Sequence, residues 1–368
     1  MSRSMRWAAL TALAALCVAL AACGSSDDDN GGGGATSADT TAAAAPEETT
    51  ASEATGAVPD DPDAAKFEQA RAGSGDGVKI GYISLGDQVP FVKLVSDGIK
   101  AQAKRAGANL VFCDSQVDAA KALDCAKNFK TQNVDVIVNF QVDEKAAPNI
   151  CAAGPDVPTI AVDINQRPCQ VSFMGANNQR AGEIAGTAMG EYFRSNENCE
   201  YDAVVSMQQP AAGVVNEQRS GGALRGFEAV CGEIDGSRLK IVDGGGTIEG
   251  GQRKFADVLT SLPGQDKIIV LSLNDDMALG ALAAAKSQGR DKDLYLAGQG
   301  ADPSAHCEIA NNPQWVGDAA YFPERYGEIA VPNAIRAARG EEIPATLYVP
   351  HTLVNGDNIA EYYQVRGC

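Results

Sequence analysis

Six short polar stretches follow apolar runs in this sequence, and most of their side chains are amides or carboxylates. They are residues 86–91, 141–143, 163–165, 208–210, 274–276 and 299–302. Amides and carboxylates hydrogen-bond hydroxyl groups, and an aromatic ring such as that of Phe91 covers the apolar C–H face of a sugar ring. These residue types therefore suit a small ligand that carries many hydroxyl groups.

Motifs for catalysis or metal binding are missing from the sequence. It has no Gly-x-Ser-x-Gly, no phosphate-binding loop and no His-Glu-x-x-His, and its only histidines are His306 and His351. The glycines at 244–246 lack the spacing of a dinucleotide-binding fingerprint. We therefore expect no enzyme activity, no cofactor and no metal.

The polar stretches must be positioned by short apolar runs that alternate with segments of helical periodicity. The predicted strands are 78–85, 109–113, 134–140, 159–163, 171–175, 203–207, 239–242, 268–273 and 294–297. The predicted helices are 91–106, 119–131, 180–194, 213–230, 251–262 and 276–288. This alternation, with nearly continuous apolar strands, is typical of parallel α/β sheets that are covered on both faces. We predict two doubly wound lobes that bind ligand beyond the carboxyl ends of their strands.

The amino terminus has the form of an export signal. Arg3 and Arg6 precede an apolar stretch, residues 7–22, and small residues then lead to Cys23. This junction resembles the lipobox of bacterial lipoproteins, in which lipid is attached to the cysteine. An uncleaved anchor and a plain secretory signal are the alternatives. We expect a lipoprotein signal peptide over residues 1–23 and a mature protein held outside the cytoplasm, on the cell membrane, by lipid on Cys23.

Residues 24–76 are low-complexity sequence, for which we predict a disordered acidic tether. Ten acidic residues and no Lys or Arg lie between Gly24 and Ala65, so much of the net charge of −18 belongs to this segment. An acidic balance argues against nucleic acid as a partner. About 292 residues remain for the folded part, which is enough for two domains.

Eight cysteines follow the signal and the lipidation site, and an even number in an exported chain indicates disulfides. Metal binding is the competing interpretation, but the sequence has no Cys-x-x-Cys pair. Sequence alone leaves about 105 pairings open. We expect sequential neighbours to pair: Cys113 with Cys125, Cys151 with Cys169, Cys199 with Cys231, and Cys307 with Cys368.

The run from Asn274 to Ala281, Asn-Asp-Asp-Met-Ala-Leu-Gly-Ala, closely resembles a signature of type I periplasmic sugar-binding proteins of the ribose-binding group. Pro90-Phe91, Asp114-Ser115-Gln116 and residues 177–182 fall in the matching order. The resemblance extends from about Val78 to the end of the chain. It implies two Rossmann-like lobes, joined by three crossover segments, that close on a sugar.

The resemblance also implies which residues form each lobe and which partners the protein has. The amino-terminal lobe would comprise residues 78–177 and 322–347, and the carboxy-terminal lobe residues 178–321 and 348–368. The expected partners are a carbohydrate or polyol ligand and the permease of an ABC importer, with the protein a monomer. Two alternatives are a sensory lipoprotein that presents its closed, liganded form to a receptor kinase, and a binder of a small polar solute other than a sugar.

Ligand contacts carry over by position. Phe91 corresponds to a stacking residue, Asp163 and Asn274 to hydroxyl-binding residues, and Arg219 and Tyr321 to further contacts. For the helix after Asn274, we expect Asp275 or Asp276 to be the cap.

The sequence also departs from the ribose-binding pattern at three positions. Val92 replaces a second aromatic residue, Ile164 replaces an arginine, and Gly300 replaces an aspartate. Ribose contacts are therefore missing, and other side chains must replace them. The candidates are Gln141, Asn165, Gln299 and Asp302.

Overall fold

The computed structural model describes residues 63–141 and 143–368. The predicted signal peptide, Cys23 and most of the predicted tether lie outside the described residues. In the described part, strands are β1 (Lys79–Ser84), β2 (Asn109–Asp114), β3 (Val136–Asn139), β4 (Thr159–Val162), β5 (Gln170–Ala176), β6 (Ala203–Gln208), β7 (Leu239–Asp243), β8 (Ile268–Ser272), β9 (Leu294–Gly300), β10 (Trp315–Ala320), β11 (Thr346–Val349) and β12 (Thr352–Val354).

Helices cover both faces of the sheets that these strands form. They are α1 (Pro90–Ala106), α2 (Ala119–Gln132), α3 (Ala147–Ala153), α4 (Asn178–Glu197), α5 (Val214–Cys231), α6 (Ile248–Ser261), α7 (Asp275–Ser287), α8 (His306–Asn311), α9 (Tyr326–Ala338) and α10 (Ile359–Tyr362). Within the described ranges, no helix has the length and apolar character needed to cross a membrane.

The strands form two six-stranded sheets. One has the order β11-β5-β4-β3-β1-β2 and is parallel throughout. The other has the order β12-β10-β9-β8-β6-β7 and is parallel except for the β10–β12 pair. The central strands β3 and β8 are buried along their whole length, as expected for sheets covered on both faces.

The chain passes from one sheet to the other three times: after β5, after β10 and after β11. Each sheet has its own apolar core. Ile80, Val136 and Ile329 belong to the first, and Val205, Val270 and Met277 belong to the second. The predicted fold class, two doubly wound α/β lobes joined by three crossovers, is confirmed. The residue boundaries of the lobes stay a prediction.

Helices α4 and α5 cross at very short range, and this crossing positions two residues that line the cavity described below. A Cβ atom on Gly186 would lie 1.9 Å from the carbonyl oxygen of Ala223, and one on Gly182 would lie 2.2 Å from that of Arg219. Only glycine allows such an approach. The crossing fixes the start of α4, which carries Asn178, beside the turn of α5 that carries Arg219.

Residues 63–76, which the sequence analysis assigns to the tether, instead pack on the fold. Ala65 donates a backbone hydrogen bond to Tyr348 (2.8 Å). The ring of Phe67 lies edge-on to Phe322, with centroids 5.9 Å apart, and Arg325 stacks on it at 4.0 Å. The tether prediction overlooked that Phe67 and Ala70 supply apolar surface that the fold buries.

All four disulfides join the predicted partners: Cys113–Cys125, Cys151–Cys169, Cys199–Cys231 and Cys307–Cys368. The sequence-neighbour pairing is therefore confirmed. The fourth disulfide attaches the carboxyl terminus to α8.

Candidate ligand-binding site

A cavity of about 310 Å³ lies at the carboxyl ends of strands from both sheets. Its volume is near the lower limit of ligand pockets, which span roughly 300–1,000 Å³. It is lined by Phe91, Asp163, Asn178, Val215, Arg219, Asn274, Asp276, Gln299, Gly300, Asp302, Tyr321 and Tyr326. Because parallel α/β sheets bind ligands at this edge, the cavity is the candidate site.

Phe91 and Asp163 reach the cavity from the first sheet. Phe91 is the second residue of α1, which begins with a proline, and its ring lies edge-on to that of Tyr326, with centroids 5.8 Å apart. Asp163 follows β4 in a left-handed conformation, with φ 54°. Its Oδ1 accepts hydrogen bonds from the Ala176 N–H (3.2 Å) and the Tyr326 hydroxyl (3.5 Å). Burial raises the pKa of Asp163 to about 6.

Arg219 reaches the cavity from α5 and is held on two sides. Its Nε donates to Asn178 Oδ1 at 2.7 Å, and its guanidinium carbon lies 4.6 Å from the centre of the Tyr321 ring. These contacts leave the terminal nitrogens of the guanidinium as donors for a ligand. Its planar fork suits adjacent hydroxyl oxygens.

Asn274 lines the cavity and also begins α7. Its Oδ1 accepts from the Met277 N–H (3.0 Å), and its Nδ2 donates to the Gly246 carbonyl (2.9 Å). The prediction that Asp275 or Asp276 caps this helix is wrong, because Asn274 is the cap and the two aspartates lie in the first turn. One amide hydrogen and one lone pair of Asn274 remain for a ligand.

Gln299 and Tyr321 form a buried pair at the base of the cavity. The Tyr321 hydroxyl donates to Gln299 Oε1 (3.4 Å), and Gln299 Nε2 donates to the Ser272 carbonyl (3.2 Å). Both residues are about 1% exposed, and burial raises the pKa of Tyr321. Gln299 thus orients the tyrosine ring on which Arg219 stacks.

Asp302 lies on a loop that two buried carboxyl groups hold from below. Asp275 Oδ2 accepts the Asp302 N–H at 2.6 Å. Asp318 accepts the Ala301 N–H at 2.9 Å and the Trp315 Nε1–H at 3.3 Å. A Cβ atom on Gly298 would lie 2.6 Å from Asp275 Oδ1 and 2.2 Å from Asp318 Oδ2, so the two carboxyls face each other, and Asp275 Oδ1 has no donor among the described residues. A proton shared between the two carboxyls would satisfy both.

The environment of these carboxyls favours their protonated forms. Burial raises the pKa of Asp318 to about 7, and burial together with the neighbouring Asp318 raises that of Asp275 well above its ordinary value. Burial, followed by the charges of Asp275 and Asp276, raises the pKa of Asp302 to about 8. The pair leaves no room for a side chain at residue 298, where a Cβ would lie 2.2 Å from Asp318 Oδ2.

Two of the predicted site residues do not line the cavity. Gln141 is fully buried, donates to the Asp143 carbonyl (2.6 Å) and accepts from the Asp143 N–H (2.8 Å), so it holds its own loop. Asn165 accepts from Gln170 Nε2 at 3.2 Å. The structure instead places Asn178, Val215, Asp276 and Tyr326 at the cavity. Asn178 and Asp276 lie within the two runs that resemble the family, residues 177–182 and 274–281, and this resemblance could have identified them as site residues.

Seven of the predicted site residues line one cavity, although 230 positions separate the first from the last. They are Phe91, Asp163, Arg219, Asn274, Gln299, Asp302 and Tyr321. Their role as ligand contacts stays a prediction. Tyr326 had no comparable signal, because neither the strand before it (β10) nor the helix that begins with it (α9) was predicted.

The chain is similar to known solute-binding proteins. The ribose import binding protein of Escherichia coli (strain K12) is 26% identical over 274 residues, which cover 72% of this chain and 86% of that protein. A solute-binding protein of an ABC transporter from Mycobacterium smegmatis, solved with bound glycerol, is 26% identical, with a TM-score of 0.63 over 77% of this chain and 96% of its own.

A third similarity concerns the fold alone. The solute-binding protein of an ABC transporter from Bacillus halodurans, solved with bound myo-inositol, is 22% identical and has a TM-score of 0.62 over 80% of this chain and 98% of its own. The periplasmic binding protein domain matches residues 80–342. This family consists of extracytoplasmic solute-binding proteins and not of enzymes. The chain therefore belongs to the periplasmic binding protein family, in the type I sugar-binding group of ABC transporters that the sequence resemblance predicts.

Proposed function

We propose that this protein is a lipid-anchored extracytoplasmic receptor that closes on a sugar or sugar-like polyol and delivers it to an ABC importer. The observation that carries the proposal is the cavity at the strand ends of both sheets, with the Phe91 ring on one side and Arg219 and Asn274 on the other. The ribose, glycerol and inositol ligands named for similar proteins support it.

The cavity groups match the surface of a polyol. Asp163 offers acceptors to ligand hydroxyls, Arg219 offers donors, and Asn274 offers one of each. The Phe91 ring covers a C–H face. A ligand that contacts Phe91 and Arg219 at once bridges the two lobes, so its binding energy favours the closed state.

Closure requires the three crossovers between the sheets to bend. Phe322, on the second crossover, has a left-handed backbone with φ 53° and packs against Phe67. In this account the lobes are residues 78–177 with 322–347, and 178–321 with 348–368. The protein works as a monomer, and lipid on Cys23 keeps it near the permease.

Calorimetric titration of the full-length protein, in mild detergent, tests the proposal. The probes are neutral sugars and polyols (D-ribose, D-allose, myo-inositol, glycerol) together with amino sugars. We expect at least one to bind. Arg219→Met removes charged hydrogen bonds worth roughly 1.5–3 kcal/mol, so it should weaken binding by about tenfold or more.

The matched control is Arg225→Met, which removes the same charge from an exposed position of the same helix. It should bind like the unaltered protein. Absence of binding by every sugar and polyol, neutral or amino, would overturn the proposed function.

A further inference from the structure

The cavity contains more negative than positive side chains. Among the described residues that line it, Asp163, Asp276 and Asp302 are acidic, and Arg219 is the only cation. Asp275 and Asp318 add further acidic groups directly behind the wall. When a neutral ligand displaces water from this cavity, these carboxyl groups must take up protons or stay unbalanced at low dielectric, whereas a cationic ligand stabilises their charged forms.

Arg219 offsets only part of this excess, since its charge lowers the pKa of Asp163 and of Asp302, and yet both pKa values stay raised. None of the ion pairs in the described part of the chain includes it. Its Nε is engaged by the neutral side chain of Asn178, and its guanidinium lies on the Tyr321 ring. Within the described residues, no cation forms an ion pair with Asp276 or Asp302.

Asp276 and Asp302 face the same part of the cavity. Asp276 is in the first turn of α7, and Asp302 is on the loop that Asp275 and Asp318 support. The side chain of Asp302 lies back over Gly300, where a Cβ would come within 3.1 Å of its Oδ2. Neither carboxylate accepts a hydrogen bond from a described donor, and each has a raised pKa, chiefly because it is buried.

A helix amino terminus stabilises negative charge, which accounts for Asp276 at the start of α7. It does not account for Asp302, which lies outside that helix and is oriented by two buried acids. An ammonium group supplies both missing features, a positive charge and three hydrogen-bond donors.

We propose that the natural ligand is an amino-substituted polyol, such as an amino sugar or an aminocyclitol, whose protonated nitrogen binds Asp302 beside Asp276. Its hydroxyl groups contact Asp163, Arg219 and Asn274. This inference rests on the proposed function, since it names the ligand class of the same cavity.

Matched pairs of ligands test the inference on the full-length protein. Calorimetry compares D-glucosamine with D-glucose, D-galactosamine with D-galactose, and scyllo-inosamine with scyllo-inositol. At pH 7 the best amine should bind at least tenfold more tightly than its hydroxyl partner. In Asp302→Asn this ratio should fall towards one, while the exposed-site control Asp257→Asn should keep it.

The outcomes separate this inference from the proposed function. If neutral members bind as tightly as their amines or more so, the inference is overturned and the proposed function stands. A preference for amines that survives Asp302→Asn overturns the assignment of the nitrogen to Asp302. If no member of any pair binds but D-ribose, D-allose, myo-inositol or glycerol does, the inference is overturned and the proposed function stands. If none of these probes binds either, both are overturned.

Discussion

Replacing Asp275 with asparagine tests whether a shared proton holds the buried carboxyl pair beneath the cavity. In Asp275→Asn, the amide oxygen can still accept the Asp302 N–H, and the amide nitrogen can donate to Asp318. The variant thus retains the hydrogen bond from the Asp302 N–H and supplies one to Asp318 without needing the proton. The change isolates the protonation of the pair from its geometry.

The sign of the effect follows from the raised pKa of Asp275. A carboxyl group whose pKa is higher in the folded state binds a proton there that the unfolded chain releases above about pH 4. The free energy of unfolding therefore falls with rising pH, by about 1.4 kcal/mol per pH unit for one proton. Between pH 5 and pH 7, Asp275→Asn should therefore gain stability relative to the unaltered protein, by at most about 1.4 kcal/mol per pH unit.

Urea unfolding at pH 5, 6 and 7 measures this difference. Trp315 donates to Asp318 and reports directly on the pair, and it is the only tryptophan in the sequence after the predicted signal peptide. Asp257→Asn removes an exposed carboxylate from α6 and should show no comparable gain. Parallel pH profiles for Asp275→Asn and the unaltered protein would refute the shared proton.

Two further substitutions test the packing that positions the cavity, each by thermal and urea unfolding. Gly186→Ala places a Cβ 1.9 Å from the Ala223 carbonyl oxygen and should destabilise the protein by about 1–3 kcal/mol or more. The control Gly236→Ala places its Cβ in open space and should not destabilise the protein. Equal stabilities of the two variants would contradict the helix crossing. Phe67→Ala removes a half-buried ring that packs against Phe322 and should lower the free energy of unfolding by about 1–3 kcal/mol. An unchanged melting temperature would show that residues 63–76 do not pack on the fold.

The alternation of apolar runs and helical segments was enough to predict the two sheets and most of their helices. Strand β10 was missed because the buried Asp318 interrupts its apolar pattern, and a lone charge usually indicates an exposed position. Helix α9 was missed as well, and it contains Pro332, which ordinarily ends a helix. In both cases tertiary contacts override the local signal.

The candidate site was predictable where a strand end determines which side chains meet. Phe91 and Asp163 follow β1 and β4 of the first sheet, and Asn274 follows β8 of the second, so topology alone places each at the carboxyl edge of its own sheet. Gln141 and Asn165 also follow strands, but local hydrogen bonds hold them elsewhere. Such hydrogen bonds depend on loop conformation, which short polar segments do not encode in a readable pattern.

A crystal structure with the tightest-binding sugar, polyol or amino-polyol would show whether this cavity is the ligand-binding site. We expect the ligand between the Phe91 ring and the Arg219 guanidinium, in contact with Asp163 and Asn274. A ligand bound elsewhere would contradict it, for example in the cavity of about 350 Å³ beside the Cys307–Cys368 disulfide.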